Sequence, residues 1–244
     1  MTRSPIAAVL CAPGTNRDSD VSFALRQAGA TPITYLMSDL VTQPSCIDEA
    51  DIIVIAGGFS YADALGAGRL FAVELEDSIG DRMAAAIAER RPVIGICNGF
   101  QTLVRMGILP GADHVVALGH NQAGVFDCRW VEIEPLSQKC IWTRNLTENM
   151  KCPIAHGEGR LTADDSTWAS LVEADQVALR YVDGNPNGSI GDAAGICDAS
   201  GVVLGLMPHP ENHVVPRQHP QFHRGITGNL GLSLFREGVN FAIN

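Results

Sequence analysis

The chain has 244 residues, 46% hydrophobic and 18% charged, so it can bury a substantial core without disulfide bonds. Its net charge of −10 disfavours a nucleic-acid-binding surface, because no basic stripe is available to neutralise phosphates. Neither a disulfide framework nor a membrane span is expected, since the cysteines are scattered and no apolar run reaches the roughly 20 residues that a span needs.

The first half of the chain alternates predicted strands and helices. In chain order they are a strand at 6–11, a helix at 18–28, strands at 31–37 and 51–55, helices at 64–75 and 81–89, a strand at 92–96 and a helix at 100–106. The continuous β-branched run at 51–55 is typical of a strand buried on both faces. This rhythm predicts an α/β fold with a doubly wound, mostly parallel sheet flanked by helices, whose sites lie beyond the carboxyl ends of the strands.

The second half of the chain changes to a β-rich pattern. Its predicted strands cover 115–118, 124–133, 140–143, 153–155, 177–182 and 202–206, with a turn at 185–188 and a closing amphipathic helix at 230–241. The pattern leaves open whether these strands extend the first sheet or form a second one. Because no linker or repeat interrupts the chain, residues 1–244 are predicted to form a single domain. Its scattered cysteines predict a reducing, cytoplasmic location.

The segment VIGICNGF, residues 93–100, places Cys97 between two glycines where a strand is predicted to become a helix. In a G-x-C-x-G turn, small residues two positions either side relieve the crowding around a strained nucleophile. The start of the following helix offers free backbone N–H groups and favours a thiolate. The alternative is a structural cysteine, because free cysteines are often part of the core. The five-residue pattern alone does not decide between the two.

A second candidate group lies in MPHPE, residues 207–211, directly after a predicted strand. The prolines beside His209 exclude a helix interior and extend the backbone, so His209 and Glu211 can point to the same side. A general base and the carboxylate that orients it need this arrangement. The alternative is a solvated histidine and glutamate on a surface loop. The buried strand that leads into the segment weakens that alternative.

Two further glycine-containing segments follow predicted strands. Gly57 and Gly58 could expose N–H groups to an oxyanion, or could form only a tight turn. PIAHGEGR, residues 153–160, could contact a substrate, or could be a polar turn. The other histidines show no metal-ligand spacing, so no metal site is predicted.

Taken in order, these segments resemble the class I glutamine amidotransferases, the family of Cys-His-Glu glutaminases. The resemblance runs from about residue 6 to the C-terminal helix and implies a flavodoxin-like sheet. Six segments look like successive signatures of the glutaminase subunits of phosphoribosylformylglycinamidine synthase: APGTNRDSD, AGGFSYADALGAGRL, GICNGFQTLVRMGILPG, PIAHGEGR, YVDGNPNGS and GLMPHPE.

The resemblance implies roles for individual residues. Cys97 would attack the carboxamide of L-glutamine, His209 would protonate the departing ammonia and then activate water, and Glu211 would orient His209. The backbone N–H groups of Gly58 and Asn98 would stabilise the oxyanion. The implied substrate contacts are Phe59, Gln101, His156 and Gly157.

The same resemblance implies a partner. Ammonia would pass through a protein interior to a synthetase subunit, which uses ATP and Mg²⁺ to convert formylglycinamide ribonucleotide to its amidine in purine biosynthesis. A small third subunit could also take part. Because the chain has neither a G-x-x-x-x-G-K-[ST] segment nor a dinucleotide fingerprint, no cofactor is expected on this chain itself.

Three other functions stay open at this point. The chain could serve another synthetase with the same chemistry, could be a catalytically inert regulatory relative, or could sense redox state through Cys97. PIAHGEGR and GGFSYAD favour the purine assignment. The intact set of Cys97, His209 and Glu211 disfavours an inert relative, and a redox sensor leaves the His-Pro-Glu segment without a role.

Overall fold

A nine-stranded sheet and a small two-stranded sheet organise the computed structural model, which describes residues 3–244. The strands are β1 (Ile6–Cys11), β2 (Thr31–Leu36), β3 (Ile52–Ile55), β4 (Val93–Ile96), β5 (Ala117–Gly119), β6 (Asp127–Pro135), β7 (Met150–His156), β8 (Arg160–Thr162), β9 (Val177–Tyr181), β10 (Ala193–Cys197) and β11 (Val203–Leu206). The α-helices are α1 (Asp18–Ala28), α2 (Met37–Thr42), α3 (Arg69–Ala88), α4 (Asn98–Arg105), α5 (Asp165–Glu173) and α6 (Leu232–Ala242).

The large sheet has a parallel half and an antiparallel half. Its order is β2-β1-β3-β4-β11-β10-β9-β6-β7, and the first five strands in this order pair in parallel. The remaining strands pair antiparallel and extend the same sheet, while β5 and β8 form the separate ribbon. The doubly wound sheet flanked by helices and the β-rich second half are therefore confirmed.

Helices cover both faces of the parallel strands. The chain crosses from β1 to β2 through α1 in one direction, and from β3 to β4 through α3 in the other. Since parallel crossovers are right-handed, α1 and α3 lie on opposite faces. α6 packs with α1, whereas α2 and α4 pack with α3. The central strands β3, β4 and β11 are buried at every position, as their continuous apolar runs predict.

Some predicted elements are wrong in the structure. The expected helices at 64–75 and 81–89 are one helix, α3, and the residues before it form turns with a positive φ at Leu65. The expected strand at 140–143 is a turn, in which the N–H of Arg144 donates to the carbonyl of Cys140 (2.9 Å). Its apolar residues are buried because Trp142 packs against Gly238 of α6 and donates through Nε1 to the Val202 carbonyl. Burial under a helix, not strand pairing, accounts for that apolar run.

Other elements have no counterpart in the predicted pattern. They are α2, α5, β8 and β10. α5 begins at a side-chain cap, where Asp164 accepts from the N–H of Thr167 (2.7 Å). No helix among residues 3–244 has both the length and the apolar character that crossing a membrane requires.

Candidate active site

Cys97 lies between the end of β4 and the first residue of α4, at the edge of the sheet where the parallel strands end. Its backbone has φ 52° and ψ −103°, a conformation that non-glycine residues rarely adopt and that costs on the order of 1–3 kcal/mol. The Cys97 N–H donates to the carbonyl of Leu206 at the end of β11 (2.7 Å). The neighbouring strand therefore helps to hold the strained turn, as a nucleophile elbow requires.

The two glycines around Cys97 are both required by close packing. A Cβ added at Gly95 would lie 2.5 Å from the Gly99 carbonyl oxygen, and one added at Gly99 would lie 2.0 Å from the Ile55 carbonyl oxygen. Both distances are far below any real contact of a Cβ atom. The G-x-C-x-G spacing thus lets the start of α4 approach the neighbouring strand β3 directly.

His209 and Glu211 follow β11 and form a buried pair. His209 Nδ1 lies 2.7 Å from Glu211 Oε1, and the two side chains are 3% and 0% exposed. The His209 N–H donates to the carbonyl of Pro153 in β7 (2.8 Å), which fixes the segment against the antiparallel half of the sheet. The extended backbone predicted for this segment is wrong: Pro210–Asn212 form a 3-10 turn, in which the Asn212 N–H donates to the His209 carbonyl (3.1 Å). The turn, and not alternation along an extended chain, brings the two side chains together.

The environment of His209 favours its protonated form. Burial opposes the charge, but Glu211 and the Cys97 sulfur outweigh it and raise the pKa of His209 to about 10. The His209 ring and the Cys97 side chain lie on the same side of Gly57, because a Cβ at Gly57 would be 3.0 Å from His209 Cε1 and 3.5 Å from Cys97 Cβ. A cationic imidazole beside the sulfur stabilises a negative charge on it.

The Gly57-Gly58 turn faces the elbow from the end of β3. Gly58 has φ +149°, and a Cβ there would lie 2.7 Å from the backbone nitrogen of Asn16, so only glycine fits. Within residues 3–244, neither the N–H of Gly58 nor that of Asn98 donates a hydrogen bond. Both are therefore free to bind an anion that forms near Cys97.

A cavity of about 200 Å³ opens beside Cys97, and all four predicted substrate contacts line it. Its wall contains six of the residues singled out in the sequence: Cys97, Gly58, Phe59, Gln101, His156 and Gly157. The carbonyl of Ala155 lies 3.9 Å from the Cys97 sulfur. Larger cavities of about 850 and 680 Å³ elsewhere hold none of these residues, so their size alone does not mark a site.

The side chains of Asn98 and Gln101 connect the elbow to two loops. Asn98 Nδ2 donates to Asp63 Oδ1 (3.2 Å) and to Gln101 Oε1 (3.1 Å), and Asn98 Oδ1 accepts from Ser60 (2.6 Å). Gln101 Nε2 in turn donates to the Glu158 carbonyl. Gln101 thus lines the cavity and also holds the loop that contains Glu158.

Asn121 fixes the tautomer of His156. Asn121 Nδ2 donates to the carbonyls of Val125 (2.9 Å) and His156 (2.8 Å), so its Oδ1 is the acceptor for Gly159 N–H and His156 Nδ1. His156 Nδ1 must therefore carry the proton, which leaves Nε2 as an acceptor. That buried Nε2 has no hydrogen-bond partner within residues 3–244. Burial, with a smaller effect of His209, lowers the pKa of His156 to about 4.

The sequence did not single out three residues that shape this site. Asp63 and Glu158 line the cavity. Both lie within segments quoted for the family resemblance, but no feature of the sequence distinguishes them from the other residues of those segments. Asn121 lies outside every quoted segment, and no local signal pointed to it. Within residues 3–244, no three His, Cys, Asp or Glu side chains lie together in an arrangement that could hold a metal ion.

Comparison with known proteins points in one direction. The family model described as a CobB/CobQ-like glutamine amidotransferase domain matches residues 4–242. The phosphoribosylformylglycinamidine synthase subunit PurQ of Treponema denticola is 44% identical, and the match covers 98% of this chain and 99% of that protein. The subunit of the same name from Dehalococcoides mccartyi is 36% identical, with 96% of each chain covered.

Solved structures give the same picture. A chain in the structure of PurLQS from Thermotoga maritima is 33% identical, with a TM-score of 0.77 and coverage of 98% of this chain and 99% of that chain. A glutamine amidotransferase from Thermotoga maritima has a TM-score of 0.60, with 99% of each chain covered. Since its identity is only 12%, that second likeness concerns the fold alone.

Proposed function

This chain belongs to the CobB/CobQ-like glutamine amidotransferase domain family, and from that membership we propose that it is the glutaminase subunit of a phosphoribosylformylglycinamidine synthase. In this proposal residues 1–244 act as one cytoplasmic domain that hydrolyses L-glutamine to glutamate and ammonia. A relative that matches over nearly the whole of both chains carries the name of that subunit, and the similar PurLQS structure supports a synthetase partner with a small third component.

The reaction begins at the Cys97 sulfur. The thiolate, paired with the protonated His209, attacks the carboxamide carbon of glutamine, and a carbon–sulfur bond forms as the carbonyl oxygen becomes an oxyanion. The free N–H groups of Gly58 and Asn98 receive that oxyanion. The backbone fixes both N–H groups in place before the substrate binds, so little reorganisation is needed when the charge develops.

His209 moves the protons in both halves of the reaction. It gives its proton to the departing nitrogen, so that the carbon–nitrogen bond breaks, ammonia leaves and a thioester remains on Cys97. It then takes a proton from water, which attacks the thioester and releases glutamate. Glu211, 2.7 Å from His209 Nδ1, orients the ring and stabilises its charge in each cycle.

The ammonia is consumed by the synthetase partner, which converts formylglycinamide ribonucleotide to formylglycinamidine ribonucleotide. ATP and Mg²⁺ are used by that partner and not by this chain. Free ammonia would be lost to solvent, so we expect the isolated chain to be a poor glutaminase and the assembled complex to be an efficient one.

One observation supports this chemistry above the others. The ends of three neighbouring parallel strands bring together a strained cysteine, a buried His-Glu pair and a turn with a free N–H group, beside one cavity. In a doubly wound sheet this edge is the usual place for a catalytic site. A structural cysteine would need neither the strained backbone nor the buried ion pair.

The test is covalent labelling followed by an activity comparison. The assembled complex is treated with 6-diazo-5-oxo-L-norleucine, a glutamine-like electrophile, and we expect the modified peptide to contain Cys97. Cys97→Ala should lose glutamine-dependent synthesis but keep synthesis from added ammonium chloride, because the partner's site is intact.

Cys128→Ala is the matched control, since Cys128 is an exposed cysteine of the same domain. It should keep both activities. Labelling of another residue, or glutamine-dependent synthesis by Cys97→Ala, would contradict the proposed mechanism. If the chain were an active glutaminase but supplied ammonia to a synthetase other than phosphoribosylformylglycinamidine synthase, only the proposed partner would be wrong.

A further inference from the structure

β7 is the last strand of the large sheet, and among residues 3–244 no other strand pairs with its outer edge. The turn that contains His209 and Glu211 lies against this edge and is held there at both ends. At its start the His209 N–H donates to the Pro153 carbonyl (2.8 Å), and at its end His213 Nδ1 lies 2.6 Å from the Lys151 carbonyl. The first contact uses only backbone atoms, whereas the second depends on one side chain.

The His213 side chain donates this second hydrogen bond. A carbonyl oxygen can only accept, so His213 Nδ1 carries the proton. Burial lowers the pKa of His213, which keeps the ring neutral at neutral pH. The residue is 0% exposed, and its ring packs edge-on against Trp130 of β6, with 5.0 Å between the ring centroids. The ring is therefore held in one orientation, with Nδ1 facing β7.

The backbone of His213 joins the same turn to the last helix. Its N–H donates to the Pro210 carbonyl (3.0 Å), and its carbonyl accepts from the N–H of Gly231, the residue before α6 (2.8 Å). Between these contacts, one carboxylate oxygen of Glu211 lies 2.7 Å from His209 Nδ1, and the other has no hydrogen-bond partner within residues 3–244. Since no other donor holds the carboxylate, its position depends on the backbone of the turn.

We propose that His213 is a positioning residue, which keeps Glu211 at hydrogen-bond distance from His209. This rests on the proposed function, in which that pair moves the protons. His213 is not part of the wall of the cavity beside Cys97, so it acts through the turn and not on the substrate. Without its hydrogen bond the end of the turn can shift, while the Pro153 contact still holds the start. A misplacement of about 1 Å can lower a catalytic rate on the order of 10²-fold.

The test removes the donor and then restores it, with glutamine-dependent synthesis by the assembled complex as the readout. His213→Leu removes the donor, and we expect kcat to fall about tenfold or more while the KM for glutamine changes by less than about twofold. His213→Asn places an amide N–H where Nδ1 lies and should recover most of that kcat. His223→Leu, at an exposed histidine of the same loop, should leave kcat unchanged. Synthesis from ammonium chloride should stay at the wild-type level in all three variants.

A double-mutant cycle separates positioning from a general loss of stability. In the Glu211→Gln background, His213→Leu should lower kcat by less than about twofold, because the carboxylate that it positions is already gone. The melting temperature should fall by a similar amount in both backgrounds. If His213→Leu does not assemble, His213→Phe takes its place, because it keeps an aromatic ring beside Trp130 and also lacks the donor.

Two outcomes would overturn the role of His213. One is a wild-type kcat in the variant without the donor, and the other is an equal fall of kcat with and without the Glu211 carboxylate. If the wild-type complex used no glutamine and Cys97 were not labelled, the proposed function itself would fail.

Discussion

Gly99 in α4 packs against the carbonyl oxygen of Ile55 so closely that a Cβ on Gly99 would lie 2.0 Å from it. This contact joins the helix that begins at Cys97 to the strand that ends in the Gly57-Gly58 turn. The distance between the nucleophile and the Gly58 N–H is therefore set by backbone packing. A rigid spacing of this kind is what oxyanion stabilisation needs, because the donors must be in place before charge develops.

Gly99→Ala should accordingly damage both stability and activity. The added methyl group cannot avoid backbone atoms of β3, so we expect a loss of at least about 1–3 kcal/mol in the free energy of unfolding, measured by urea denaturation. Glutamine-dependent synthesis should fall more than ammonia-dependent synthesis. Gly119→Ala is the control, because a Cβ at Gly119 meets nothing within 4 Å. Equal stability of the two variants would contradict the packing argument.

Three strands of the parallel half, β1, β3 and β4, could be predicted from the sequence because they are continuous apolar runs with glycine-containing turns after them. The place of His209 beside these strands followed only from the family resemblance, because the sequence left open whether the strand before it joins this sheet. The turns after β3 and β4 placed Gly58 and Cys97 at the same edge of the sheet. Each of these signals is local, and the topology of a doubly wound sheet brings their positions together without further information.

Other parts of the site could not be predicted, because their meaning depends on distant partners. Asn121 is an ordinary polar residue in the sequence, and its role arises only when it meets the carbonyl of His156 and the N–H of Gly159. The apolar run at 140–143 resembles a strand, but Trp142 is buried by α6, which lies almost 100 positions further along the chain. Local pattern cannot separate burial by a helix from burial in a sheet.

Glu211→Gln should reduce catalysis strongly without blocking the partner. The change keeps the shape of the side chain but removes the charge that holds His209 protonated and oriented. We expect glutamine-dependent kcat to fall on the order of 10²- to 10⁴-fold. Ammonia-dependent synthesis, measured on the same preparation, should be unchanged. A fall of less than about threefold would show that Glu211 does not orient the base.

The same pair predicts how stability depends on pH. His209 has a pKa of about 10 in the fold, against about 6.5 in the unfolded chain, so the folded state keeps the proton to higher pH. The resulting stabilisation is fully present below about pH 6.5 and is lost as the pH rises towards 10. The difference in unfolding free energy between wild type and Glu211→Gln should shrink across this window. A difference that stays constant from pH 6.5 to 10 would contradict the buried ion pair.

Asn121→Ala should lower the free energy of unfolding more than the same substitution does at a surface asparagine. Asn121 is 3% exposed, and all four hydrogen bonds of its side chain would be lost, which leaves buried carbonyl and N–H groups without partners. We expect a loss of about 2–4 kcal/mol by denaturant unfolding. Asn145→Ala is the comparison, because Asn145 makes a single exposed hydrogen bond to Glu237 and should change stability by less than about 0.5 kcal/mol. Similar losses of stability in both variants would show that the buried hydrogen bonds of Asn121 do not stabilise the fold.

His156 predicts a second pH dependence, of opposite sign to that of His209. Its pKa is about 4 in the fold, against about 6.5 in the unfolded chain, so acid protonates the unfolded state first. The unfolding free energy is therefore unaffected by His156 above about pH 6.5. It falls by up to about 3 kcal/mol as the pH falls towards 4, because only the unfolded chain takes up this proton. His156→Gln removes the titrating group and should flatten this acid arm of the stability curve, whereas His223→Gln, at an exposed site, should not. The comparison uses the change of the unfolding free energy with pH and not its absolute value. A general loss of stability in His156→Gln therefore does not obscure the result. An acid arm as steep as that of wild type would show that His156 is not held neutral by the fold.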